Sequence, residues 1–80
     1  MNGLRVYIYA PGSEINRVDD AFYSRRDNGP YYRWHFAKDL GQWRGSRVPV
    51  DGIKPRTLCA ATWKTVPLAL QAKLGEHYSE

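Results

Sequence analysis

Apolar and polar side chains alternate most clearly at two places in the chain. Leu4, Val6 and Ile8 alternate with Arg5, Tyr7 and Tyr9, a period of two in β-forming residues that predicts a half-buried strand. Pro11 and Gly12 end it. Tyr31–Ala37 repeats the pattern, with Tyr32, Trp34 and Phe36 on one face and Tyr31, Arg33 and His35 on the other. A short polar connection, Lys38-Asp39-Leu40-Gly41, then leads to Gln42–Val48. That segment reads as an antiparallel partner, interrupted at Gly45. Pro49, Gly52 and Pro55 make Val48–Arg56 a loop.

Between the two alternating segments the period changes. Ile15, Val18 and Phe22 recur at i, i+3 and i+7, and Ile15 and Val18 would point to opposite faces of a strand. A helix is therefore expected over Ser13–Arg26, with Ser13 as N-cap, Glu14 in the first turn and Asp27-Asn28-Gly29-Pro30 as its stop. The competing reading makes Ala21–Arg26 a strand followed by an Asn28-Gly29 hairpin turn. Toward the C-terminus, Val66, Leu70 and Leu74 form the apolar stripe of a helix beginning near Thr65. Thr65 would cap it, Pro67 suits its first turn and Gly75 would break it. Leu58–Trp63 fits a short strand or an early helical turn.

The resulting order is β-α-β-β-α. It predicts an α+β fold: a small, largely antiparallel sheet of about three strands with one or two helices on one face. If Ser13–Arg26 is a strand instead, the alternative is a small β-barrel with a C-terminal helix.

Composition narrows the class. The chain has 80 residues, the size of a single domain spanning 1–80. Hydrophobic residues at 42% with three Trp suffice for a core. No apolar run approaches the roughly 20 residues of a membrane span, so no membrane partner is expected. Arg5 interrupts the first apolar stretch, which argues against a secretory signal. Cys59 is the only cysteine, so a disulfide within the chain is excluded and a reducing cytoplasm is the expected compartment.

Charge adds a direction. The net charge is +4, and the excess lies in residues 17–56. That stretch holds Arg17, Arg25, Arg26, Arg33, Lys38, Arg44, Arg47, Lys54 and Arg56 against Asp19, Asp20, Asp27, Asp39 and Asp51. Most of these cations are Arg, whose guanidinium forks onto phosphate or carboxylate and stacks on π faces.

With Leu4, Val6, Ile8 and Tyr32, Trp34, Phe36 turned to the helices, the opposite face displays Arg5, Tyr7, Tyr9, Tyr31, Arg33 and His35, with Arg44 and Arg47 at the rim. Aromatic rings flanked by Arg stack on bases and hold phosphates. An open sheet face used this way resembles that of the RNA-recognition-motif family, although the octapeptide signature of that family is missing. The segment Asp27-Asn28-Gly29-Pro30-Tyr31-Tyr32-Arg33-Trp34-His35, followed by Trp43, also resembles the middle of a WW domain, a resemblance that implies a groove for proline-rich peptides.

The expected function is thus a small basic binding domain that contacts nucleic acid. The alternative is a protein-interaction module, an inhibitor or accessory subunit, that offers the same Tyr/Arg surface to an acidic protein or to a second copy of itself. No enzyme, metal or cofactor is expected. His35, His77 and Cys59 lack zinc spacing, Cys59 lies in an apolar stretch that suggests a buried, inert thiol, and Asp19-Asp20 diverge on a helix.

Overall fold

Both alternating segments are strands, and each is paired on two sides. The computed structural model describes residues 3–9, 21–53 and 55–79. Its elements are β1 (Leu4–Tyr9), β2 (Phe22–Arg26), β3 (Tyr32–Ala37), β4 (Gln42–Arg47), β5 (Leu58–Ala60) and one helix, α1 (Leu68–His77). The strands form one 5-stranded sheet in the order β4-β3-β2-β1-β5, with every neighbouring pair antiparallel. The outer strands β4 and β5 do not pair with each other, so the sheet is open and the barrel alternative is excluded.

The helix expected over Ser13–Arg26 is corrected in its second half. Phe22–Arg26 is β2, the middle strand, paired with β1 and with β3. Pairing on both sides outweighs a helical spacing carried by three apolar residues. The competing reading is right about the strand, which starts at Phe22, but the turn is centred on Asp27 and Asn28 rather than on Asn28-Gly29, with Asp27 at φ 53 and the Gly29 N–H donating to the Arg26 carbonyl at 2.9 Å. Ser13, Glu14, Ile15 and Val18 lie outside the described residues. The sheet therefore has five strands rather than about three, and only the C-terminal helix is found among the described residues.

One face of the sheet carries α1. Val6 and Trp34 from the sheet meet Val66, Leu70 and Leu74, with Leu4, Phe22, Tyr32, Trp43, Ala61 and Tyr78 packed around them. Phe36 has the same register but lies at the margin, edge-on to Trp43 at 5.6 Å and largely exposed. At the centre, fully buried Ser24 joins sheet and helix. The Trp34 indole N–H donates to Ser24 Oγ at 2.8 Å, and the Ser24 and Tyr78 hydroxyls share a hydrogen bond at 2.8 Å.

The ends of α1 differ from expectation. Pro67, not Thr65, precedes the helix, without a side-chain cap. Thr65 belongs to a 3₁₀ turn, Trp63–Thr65, and its hydroxyl donates to the Thr62 carbonyl. The Gln71 amide ties that turn to the helix by donating to the Trp63 and Val66 carbonyls. Nor does Gly75 end the helix, which continues to His77. The last turn is held from outside: Arg26 Nη1 donates to the Tyr78 carbonyl at 2.9 Å, and His77 stacks edge-on to Tyr32 at 4.4 Å. A cation on the carbonyl end suits the helix dipole.

Gly45 is where β4 makes room for Trp34. A Cβ there would stand 2.7 Å from the Trp34 ring, and that ring is buried and held by its bond to Ser24. Gly45→Ala is expected to cost about 1–3 kcal/mol of stability, read as a lower denaturation midpoint.

Tyr78 gives a pH dependence. Burial raises its phenol above the ordinary value of 10.0, outweighing the hydrogen bond with Ser24 and the nearby Arg26 charge, which lower it. The folded state therefore holds this proton more tightly than the unfolded chain. Its contribution is fully present below pH 10 and is lost as pH rises through the higher folded value. The denaturation midpoint should fall more steeply above pH 10 in the native chain than in Tyr78→Phe.

Candidate functional site

The opposite face of the sheet gathers most of the predicted binding residues. Arg5 stands across from Arg25, Tyr7 across from Tyr23, Tyr23 across from Arg33, and His35 across from Arg44. Alternation then puts Arg5, Arg25, Arg33 and Arg44 on one face, one from each of β1 to β4. Arg5 and Arg44 are exposed; Arg25, Arg33 and His35 are half-buried. His35 Nδ1 is shielded and makes no hydrogen bond.

That face is not open along its whole length. Part of it is covered by residues 48–53 and 55–58, which include 3₁₀ turns at Val50–Gly52 and Pro55–Thr57. Ile53 packs there with Tyr9, Ala21 and Tyr23 in a second buried cluster, with Tyr7, Tyr31, Val48 and Leu58 around it. Tyr9 is only 4% exposed and meets Tyr23 edge-on at 5.0 Å. It is a core residue, with no ring face left for a ligand. The loop reading of Val48–Arg56 was right in kind, but a non-periodic loop gives no sign that its apolar residues cover a sheet.

The uncovered part centres on the end of β2. Arg25 lies over the Tyr31 ring at 4.7 Å, donates from Nε to the Gly29 carbonyl at 3.1 Å and from Nη1 to the Tyr31 hydroxyl at 3.2 Å. Tyr31 in turn touches the Tyr7 ring at 6.1 Å, tilted by 57°. Arg25 is thus held in place by neutral groups, and neither it nor Arg5 has an ion-pair partner among the described residues. Two hollows meet at Arg25 and Asn28. One, of about 390 Å³, is lined also by Arg5, Tyr7 and Asp27. The other, of about 710 Å³, is lined also by Tyr31, Arg47, Val48 and Ile53.

Arg47 is separated from Arg44. It stands across from Tyr32, so its register is that of the helix-bearing face. It is the last residue of β4, and it reaches the site only as part of the larger hollow. Arg25 and Asn28 were missed as site residues because the favoured helix reading removed them from the sheet. The hairpin reading would have placed Arg25 on the strand beside β1.

Cys59 is exposed rather than buried, because β5 is a short edge strand. It lies on β5 and His35 on β3, with β1 and β2 between them, so the two do not form a nucleophile–base pair. Among the described residues no three His, Cys, Asp or Glu side chains group to hold a metal ion. Among the same residues no helix is long and apolar enough to cross a membrane. Comparison with protein-family models, curated proteins and solved structures finds no match, so the functional argument rests on the geometry.

Proposed function

We propose that this chain is a small basic domain that binds single-stranded nucleic acid across the uncovered part of its sheet. The observation that carries the reading is the Arg5–Arg25 pair. Like charges directly opposite each other on neighbouring strands are unfavourable, and among the described residues no carboxylate forms an ion pair with either arginine. An anion between them removes the repulsion, and a phosphodiester is such an anion. Tyr7 and Tyr31 beside the pair offer apolar ring surface to a base, and the Arg25 guanidinium offers a second flat surface.

Arg33 and Arg44 extend the positive charge toward the β4 edge, where an extended strand has further phosphates to place. Tyr9 and Tyr23 hold the sheet from beneath and take no part in contact.

Tyr31→Leu tests the stacking half of this reading, with Tyr31→Phe, which removes only the hydroxyl bonded to Arg25, as its control. It should weaken a short oligonucleotide by about 1–3 kcal/mol, measured by fluorescence anisotropy at fixed low salt. Unchanged oligonucleotide affinity in Tyr31→Leu would remove base stacking from the account.

A further inference from the structure

The geometry points to the larger hollow as a pocket for one nucleotide unit of the bound strand, its base against the apolar lining and its phosphate at Arg25. This inference rests on the nucleic-acid reading and makes it specific. At about 710 Å³ the space falls within the usual range of small-ligand sites, about 300–1,000 Å³. Its lining has two chemistries. Tyr31, Val48 and Ile53 supply apolar surface and belong to the second buried cluster, so that side is firmly packed. Pro30 and Pro49 add exposed, rigid apolar surface. Arg25 and Arg47 supply positive charge, and neither has an ion-pair partner among the described residues.

Arg25 is the organising group. Its bonds to the Gly29 carbonyl and the Tyr31 hydroxyl fix the plane of the guanidinium before any ligand arrives. A fixed planar cation is suited both to a phosphate and to the face of a base. Asn28, also in the lining, carries an amide with donor and acceptor side by side, the pattern that a base edge presents. Among the described residues no carboxylate lines this hollow; Asp27 lines only the smaller one. The two hollows share Arg25 and Asn28, so a strand crossing Arg5 and Tyr7 reaches this pocket without leaving the surface.

The test is titration of the full chain with adenosine monophosphate, inorganic phosphate and adenosine, followed by amide NMR shifts. The monophosphate should move Asn28, Gly29, Tyr31, Val48 and Ile53 and saturate in roughly the millimolar range, with phosphate alone and adenosine alone each weaker. Pro49→Glu changes an exposed residue, adds a negative charge to the lining and should weaken the monophosphate by about tenfold. It should weaken a ten-nucleotide single strand as well.

If the oligonucleotide binds native chain and Pro49→Glu equally, and the monophosphate leaves those amides unmoved, the pocket is wrong while the nucleic-acid reading stands. If a phosphotyrosine peptide saturates the same amides and the monophosphate does not, the pocket belongs to a protein ligand and the inference falls. If neither the oligonucleotide nor the monophosphate binds, both readings fall.

Discussion

Leu70→Ala is expected to lower the unfolding free energy by about 2–5 kcal/mol. Leu70 is fully buried and packs with Val6, Trp34, Val66 and Leu74. Those residues are the joint between α1 and the sheet, and no second helix among the described residues shares the load. A domain of this size has roughly 4–12 kcal/mol in total, so the loss is a large fraction of what holds it together. Leu68 supplies the control on the same helix. It is 81% exposed, and Leu68→Ala should stay within about 0.5 kcal/mol. Urea denaturation of both variants checks the pair. Equal losses would mean that α1 does not sit on the sheet through the face described.

Arg5→Glu is expected to act in opposite directions on stability and on binding. Arg5 is exposed, makes no ion pair among the described residues and faces Arg25 directly. Reversing its charge turns a repulsive cross-strand pair into an attractive one, worth about 0.2–1 kcal/mol of added stability. Arg25 keeps its bonds to Gly29 and Tyr31 throughout. The same change places a carboxylate where a phosphate should lie, and affinity for a single strand should fall about tenfold to a hundredfold at low salt. A more stable protein that binds less well is the mark of a charge kept for a ligand. If stability falls with affinity, Arg5 is structural and the like-charge argument loses its basis.

The strands legible in the sequence were those with clean alternation. Leu4–Tyr9 and Tyr32–Ala37 each place large apolar side chains on one face, and no other period fits them. The stripe Val66, Leu70, Leu74 was equally legible, because helical spacing survives whatever the helix packs on. Phe22–Arg26 was not. Its buried polar centre, Ser24, looks like a surface residue until Trp34 and Tyr78 supply its partners. Those partners lie 10 and 54 residues away in the chain, beyond the reach of any local pattern.

The candidate site divides along the same line. Arg5, Tyr7, Tyr31, Arg33 and His35 were placed on one face by parity alone, and the register puts them there. Tyr9 has the same parity but lies under Ile53, a contact made by a loop without periodicity. Arg25 reaches the site through pairing with β1, which the helix reading forbade. Parity gives the face, and only the fold gives its cover.

The central claim is that phosphates are held by the arginines of this face. The most direct measurement is the affinity of the native chain for a labelled ten-nucleotide single strand as salt is raised. If Arg5, Arg25, Arg33 and Arg44 each neutralise a phosphate, the logarithm of the affinity should fall against the logarithm of salt with a slope of about −3. No binding at low salt, or binding with a slope near zero, would contradict the claim.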